Sequence, residues 1–259
     1  MKKWIVLLIL LLTSPCLAAD GVSGVTHPAK VNSVALPDKV CGVAGLAGGS
    51  AYSDILFYWG AESTTAEKSG GDSTATLVSG ANIDTAIKIV GLSSLGLPNT
   101  YDYATFDYSS GVINVDIGRI GFYFYVTTWG DNGYIFQAYA DADNAITIYT
   151  FSGDQIRFLY ESNGAATNTI LETALLSPET WYFIEYAYDR ANDSTAVYVN
   201  GAAAGTSSND MGTGWTAYPT VIKWGNDGGA VLVYNIDQMI ISNDNTRDLN
   251  AIKDVTDFD

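Results

Sequence analysis

Carboxylates are the first residues to weigh, because two of them placed across a glycosidic bond suffice to hydrolyse it. The pair must stand about 5 to 9.5 Å apart. The 259-residue sequence has six glutamates, at 62, 67, 161, 172, 179 and 185. Glu185 lies in "WYFIEYAYD", where strand alternation puts Ala187 and Asp189 on its face and offers Glu-x-x-x-Asp at best. A partly covered strand acid is the reading we prefer for it. His27 is the only histidine and lies near the N-terminus. That removes a Ser-His-Asp triad and a histidine zinc cluster from consideration.

Recognition needs less than catalysis. Flat aromatic rings lie against apolar sugar faces, while Asn, Asp and Gly loops exchange hydrogen bonds with hydroxyls. The sequence has 17 Tyr and 6 Trp. Trp129 and Tyr134 flank "GDNG", which contributes Asp131 and Asn132, and Trp215 sits in the Gly-rich "DMGTGWTAY". Trp129, Asp131, Asn132, Tyr134 and Trp215 are therefore the candidate ligand-binding residues. Most other rings in a β-protein pack across strands, and Trp59 and Trp181 are assigned to that role.

The elements that must position these residues are strands. "DILFYW", "GFYFYVTTW", "GYIFQAYAD", "AITIYTF", "QIRFLYES", "WYFIEYAY", "TAVYVN", "TVIKWG" and "VYNIDQMIIS" are rich in aromatic and β-branched residues. Between them stand clusters such as "GDNG", "SGD", "DRANDS" and "NDGG", and helical periodicity is almost absent. The pattern predicts an all-β, two-sheet antiparallel β-sandwich. In "ETWYFIEYAYDRANDSTAVYVNGAAAG" the first strand is apolar on both faces, so its second face is covered or used. Asn200-Gly201 predicts a tight hairpin turn.

Residues 1–19, "MKKWIVLLILLLTSPCLAA", read as a signal peptide: a basic start, nine apolar residues from Trp4 to Leu12, and a small-residue cleavage site. Nine apolar residues are too few to span a bilayer. Export to the bacterial cell surface or medium is the expectation. Removing Lys2 and Lys3 takes the formal charge from −16 to −18. That excess repels nucleic acid and anionic membranes, so neither is an expected partner and no membrane insertion is expected. After cleavage Cys41 has no partner for an internal disulfide, and a buried small hydrophobe is its expected role. Residues 19–45 carry a nine-residue repeat, "ADGVSGVTH", "PAKVNSVAL", "PDKVCGVAG". Pro28 and Pro37 suggest short helical turns, and valines this closely repeated need a partner surface. Residues 19–45 are thus read either as a loosely ordered tether or as a segment that docks onto the domain or onto another chain, the last being self-association. The domain organisation read from sequence is a leader (1–19), a repeat arm with Gly-rich linker (20–50), one domain (51–245) and a tail (246–259).

Trp181, Tyr188, Asp189, Val197, Tyr198, Val199, Asn200 and Gly201 together form "W-x-x-h-x-x-x-Y-D", a turn, and "h-Y-h-N-G". With "IGRIGFYFYV" upstream and "VLVYNIDQMIIS" at the far end, this resembles the laminin-G-like, concanavalin A-like lectin/glucanase jelly roll over roughly residues 50 to 245. The resemblance implies two antiparallel sheets, one concave, with binding loops on the rim. It also implies a structural Ca²⁺ between an acid after the first strand and the Asp of the closing strand, here Glu62 and Asp237. Oxygen ligands of this kind suit that hard cation. The glucanases of the superfamily carry Glu-x-Asp-x-Glu on one strand, and no such pattern is present. Its lyases use an Arg, a Gln or His and a Tyr on one face, but Arg157 and Tyr160 have opposite parity. The expectation is a non-catalytic recognition module for a polysaccharide or glycoconjugate, or an adhesive one. The alternatives are a structural surface or filament protein assembled through the arm, then a polysaccharide hydrolase or lyase with an unrecognised site.

Overall fold

The computed structural model describes residues 54–61 and 74–252, apart from 109–112, 142–143, 163–164, 213, 216–217 and 229–230, and two short strands near the N-terminus. The chain divides into two compact units, Met1–Ser53 and Asp54–Asp259. In the first, β1 (Lys30–Val31) pairs antiparallel with β2 (Val34–Ala35). The helical turn expected for this copy of the repeat is corrected to a hairpin: Val31 and Val34 favour extended backbone. Cys41, the leader and the rest of the arm lie outside the described residues.

In the second unit the strands are β3 (Ile55–Trp59), β4 (Thr76–Val78), β5 (Asn82–Asp84), β6 (Ser94–Leu97), β7 (Tyr103–Asp107) and β8 (Ile117–Thr128). They continue as β9 (Tyr134–Asp141), β10 (Asn144–Phe151), β11 (Gln155–Ser162), β12 (Ala165–Glu172), β13 (Tyr182–Asp189) and β14 (Ser194–Val199). The last three are β15 (Ala202–Ser207), β16 (Val221–Gly225) and β17 (Val233–Ser242). A seven-stranded sheet has the order β12-β11-β10-β9-β16-β7-β4, and an eight-stranded sheet the order β15-β14-β13-β8-β17-β6-β5, with β3 also pairing β17. All pairings are antiparallel among the described residues. This is the β-sandwich jelly roll expected from the sequence. No helix among the described residues is long and apolar enough to cross a membrane.

Alternation decides which rings meet between the sheets. Ile120, Phe122, Phe124 and Val126 of β8 and Ile184, Tyr186 and Tyr188 of β13 all point inward into one core. From the other sheet come Phe106, Phe136, Phe158, Tyr160 and Trp224. Rings cross the interface at Phe57–Phe106 (5.0 Å), Phe122–Trp224 (5.5 Å), Phe158–Tyr186 (5.4 Å) and Tyr160–Tyr188 (5.9 Å). Two of the buried phenols find backbone acceptors: Tyr160 donates to Val115 O and Tyr188 to Asn114 O, each at 2.7 Å. Burial pushes both phenols well above their ordinary ionisation range.

The outer face of the eight-stranded sheet is covered where β8, β13 and β17 run side by side. Residues 243–252 fold back across it, with a 3-10 turn at Leu249–Ala251 capped by Asp248. Leu249 is fully buried and lies against Gly121 and Phe183. Beneath it Arg119 pairs with Glu185 at 3.0 Å, and Asn250 N donates to Glu185 Oε1 at 3.3 Å. The loop after β5 covers a second patch: Ile89 N and Val90 N donate to Asp237 Oδ2, each at 3.3 Å. Thus β13 is apolar on both faces because both are covered, one by the opposite sheet and one by residues 243–252. The sequence reading closed the domain at 245, whereas residues 246–252 lie against the sheet.

Candidate functional site

The seven-stranded sheet keeps an open outer face. Outward residues of β9, β10 and β11 alternate with the core set and enclose a cleft of about 540 Å³. Its lining is Asn132, Tyr134, Gln137, Tyr139, Ala145, Thr147, Tyr149, Leu159 and Glu161. Register places these side chains opposite one another: Tyr149 faces Tyr134, Thr147 faces Gln137 and Leu159, and Ala145 faces Tyr139 and Glu161. From Ala145 to Tyr149 the cleft spans roughly 13 Å of strand, and its three strands span roughly 10 Å. Tyr134 and Tyr149 hold their ring centroids 6.2 Å apart at 58°, and Tyr139 is 39% exposed. Inward Phe136, Ile146, Ile148 and Phe158 anchor the same strands in the core.

Charges on this face are largely paired. Beyond Tyr139 the Lys223 ammonium lies 5.2 Å from the Tyr103 centroid and 5.3 Å from that of Tyr139. Its partner is Asp227, at 2.6 Å. Burial opposes that charge, yet the hydrogen bond and attraction of Asp227 hold the lysine above its usual range. On the opposite side Arg157 lies 3.2 Å above the Phe151 centroid and 6.0 Å from that of Tyr149. It donates from Nε to Glu172 Oε1 at 3.0 Å. Among the residues lining the cleft, Glu161 is the single carboxylate. The lining therefore offers no pair of acids for hydrolysis across a glycosidic bond.

The structure separates the candidate residues read from sequence. Asn132 and Tyr134 line the cleft. Asn132 adopts φ 62°, a left-handed turn position that Asn tolerates, and its N–H donates to Thr150 O at 2.8 Å. Asp131, on the same turn, is exposed and does not line the cleft. Trp129 is half-buried, with its ring 5.9 Å from Phe124. Trp215 is half-buried against Tyr160 at 6.0 Å, and its neighbour Gly214 lies against Arg190, which pairs with Asp116 before β8 begins. Trp129 follows the other end of β8, whose twelve residues extend roughly 36 Å, so these two tryptophans do not share a site.

Of the two residues of the metal expectation, the structure describes Asp237. β3 and β17 do lie side by side, with Trp59 opposite Met239, which brings the end of β3 to Asp237. The Asp237 carboxylate is fully buried and accepts backbone N–H groups from Ile89, Val90 and Gln238, the last at 2.8 Å. These amides stabilise its negative charge. Glu62 lies outside the described residues, and no group of three or more His, Cys, Asp or Glu suited to a metal stands among the described residues.

Sequence reasoning did not select Gln137, Tyr139, Thr147, Tyr149, Leu159 or Glu161. Their signal was parity: each shares the outward face of a strand whose other face is mostly apolar core. The rings in loops drew attention instead.

The sequence of residues 98–248, more than half of the chain, matches the family model for concanavalin A-like lectin/glucanases, laminin-G type. A comparison of the sequence with curated proteins finds no match. Among solved structures, the fold is similar to the binding domain of botulinum neurotoxin serotype D, with TM-score 0.64 and 11% identity over 78% of this chain and 52% of that one. It is similar to the serotype D ligand-binding domain in complex with N-acetylneuraminic acid (TM-score 0.63, 11% identity, 78% and 51%). It is also similar to the binding domain of neurotoxin DC in complex with rat synaptotagmin II (TM-score 0.65, 13% identity, 79% and 52%). The chain thus spans about half the length of these structures, and the likeness is one of fold.

Proposed function

The chain belongs to the concanavalin A-like lectin/glucanases superfamily, and from that premise we propose that it is a secreted, non-catalytic recognition module whose ligand is a polysaccharide or glycoconjugate. The observation that carries the reading is the cleft on the open sheet face, where three tyrosine rings and the polar groups of Asn132, Gln137, Thr147 and Glu161 converge. Rings supply flat apolar area, and the amides and hydroxyl supply hydrogen bonds that fix a sugar's orientation. The leader-like residues 1–19 support export. Binding domains of similar fold have been solved with N-acetylneuraminic acid and with a protein receptor, which supports recognition over chemistry.

The test is a glycan array on the mature protein, followed by calorimetry on any hit with Tyr149→Ala, Tyr134→Ala and Trp215→Ala. The cleft tyrosines should each weaken binding by roughly tenfold or more, the size expected for a stacked ring. Trp215→Ala should leave affinity unchanged. Loss of binding in Trp215→Ala alone would move the site to the loop that holds Trp215. Release of reducing ends or unsaturated products from any bound glycan would replace this reading with an enzymatic one.

A further inference from the structure

Resting on the reading of the cleft as a glycan site, we infer that Asp227, which does not itself line the cleft, is a positioning residue for it: it holds the Gln137 amide so that a ligand meets a fixed hydrogen-bond acceptor, suited to a sugar hydroxyl that donates. Register sets Lys223 of β16, Gln137 of β9, Thr147 of β10 and Leu159 of β11 in one row across four strands. Gln137, Thr147 and Leu159 line the cleft, and Lys223 ends the row beyond it. The Lys223 ammonium pairs with Asp227 Oδ2 at 2.6 Å, which keeps a carboxylate beside the Gln137 side chain. An amide oxygen turned toward that carboxylate would set oxygen against oxygen. The amide nitrogen therefore takes that side, and it donates to Asp227 Oδ1 at 2.9 Å and to Oδ2 at 3.3 Å. Oε1 is then the atom that Gln137 offers to a ligand.

A glutamine on an open sheet face without such a partner would swing between rotamers and present nitrogen and oxygen alike. Only part of its population could accept, and fixing it on binding would cost side-chain entropy. The Lys223–Asp227 pair removes both losses before the ligand arrives. The pair is well placed for this. Its side chains are 16% and 23% exposed, so water competes for them less than at an open surface. Lys223 is flanked by the rings of Tyr103 and Tyr139, whose centroids lie 5.2 and 5.3 Å from the ammonium and keep it in place. A hydrogen bond from an amide to a carboxylate is roughly twice as strong as one between neutral groups, which fixes the sense of the Gln137 amide.

The experiment is isothermal titration calorimetry with cellotetraose, mannotetraose, xylotetraose and maltotetraose, the tightest of which is carried into a variant series; a tighter hit on the glycan array takes its place. Gln137→Met, which keeps the length of the side chain and removes both amide atoms, should weaken binding roughly tenfold. Asp227→Leu should weaken it roughly three- to tenfold although residue 227 does not line the cleft. Asp227→Asn keeps an oxygen that accepts from Lys223 and Gln137, so its affinity should stay within about threefold of wild type. The deciding readout is the double-mutant cycle. In Gln137→Met, adding Asp227→Leu should cost less than about twofold more, because Asp227 acts through Gln137. Circular dichroism and Tm on each variant confirm that it is folded. Unchanged affinity in Gln137→Met or in Asp227→Leu would overturn the inference and leave the glycan site standing. An equal loss from Asp227→Leu in both backgrounds would overturn it too, by making the role of Asp227 structural. A loss in Asp227→Asn as large as in Asp227→Leu would do the same by pointing to charge instead of orientation. No binding of any of the four, with an empty glycan array, would remove the glycan reading itself.

Discussion

Replacing Leu249 by Ala tests whether residues 243–252 close one face of the sandwich. Leu249 is fully buried, with its side chain against Gly121 and the Phe183 ring. The substitution removes three carbons, worth about 2.4 kcal/mol at about 0.8 kcal/mol each. Incomplete collapse of the resulting cavity adds to this, and buried Leu→Ala changes run from about 2.7 to 5.0 kcal/mol. Because Leu249 lies on a short segment at the sheet surface, the segment can settle inward and keep the cost low in that range. We expect a loss of about 2.5 to 3 kcal/mol. For a domain of this size that corresponds to a fall in Tm of about 5 to 12 °C. The assay is urea denaturation followed by tryptophan fluorescence, with Leu175→Ala as control. Leu175 is 72% exposed, so its replacement should change stability by no more than about 0.5 kcal/mol. The cleft is on the other sheet, so ligand affinity should not change in Leu249→Ala. A loss below about 1 kcal/mol would refute the docking of this segment. A loss of affinity in a folded variant would refute the independence of the two faces.

Three further expectations follow from particular residues. Gly225 has φ 129°, and a Cβ there would lie 2.5 Å from both Asp102 O and Tyr103 Cα, so Gly225→Ala should cost about 3 kcal/mol or more in the same urea assay. A cost under about 1 kcal/mol would mean that β16 and β7 do not approach this closely. Burial raises the Glu185 carboxyl above 4.5 despite the attraction of Arg119, so its stabilising contribution is full below 4.5 and is lost as pH rises through the folded value. The amide introduced by Glu185→Gln stays neutral at all pH, so the stability difference between variant and wild type should move in the variant's favour from about pH 4 to about pH 8; parallel curves would contradict the shift. Because Asp237 is compensated by three amides, EDTA and millimolar Ca²⁺ should leave Tm within about 1 °C of each other, whereas a larger rise with Ca²⁺ would restore an ion between Glu62 and Asp237.

Much of the fold was legible because its signals are local. β11 runs over Gln155–Ser162 and β17 over Val233–Ser242, as their aromatic and β-branched runs predict, and Asn200-Gly201 turns with φ of 51° and 79°. Weakly marked strands escaped notice, among them β4 and β5 with three residues each, and β15, "AAAGTS", announced itself only through the turn before it. Pairing, rather than propensity, makes these segments extended. The candidate site was legible only in part. Asn132 and Tyr134 announce themselves as turn and ring, but Gln137, Thr147 and Glu161 acquire meaning only once β9, β10 and β11 are aligned. Register is a long-range property, and no spacing within one strand encodes it.

The same alignment explains why the site belongs on this sheet. Both sheets present an outer face, and in each the inward half of the central strands is committed to the core. On the eight-stranded sheet the outward residues include Tyr123, Phe183, Ile240 and the Arg119–Glu185 pair, all buried. An apolar surface with an ion pair at its centre is costly to leave open to water, and residues 243–252 with the loop at Ile89 and Val90 cover it. On the seven-stranded sheet the outward residues are instead amphipathic: phenols with one wet edge, amides, Thr147, and cations whose stems lie along rings. Such a face is stable in water and still offers flat apolar area, which is the combination a ligand half-covered with hydroxyl groups requires. The covering segment and the open cleft are thus two consequences of one asymmetry in outward composition. If changing the outward residues of the open sheet, for example Tyr149→Glu with Glu161→Lys, left both folding and binding unchanged, that asymmetry would have no bearing on function.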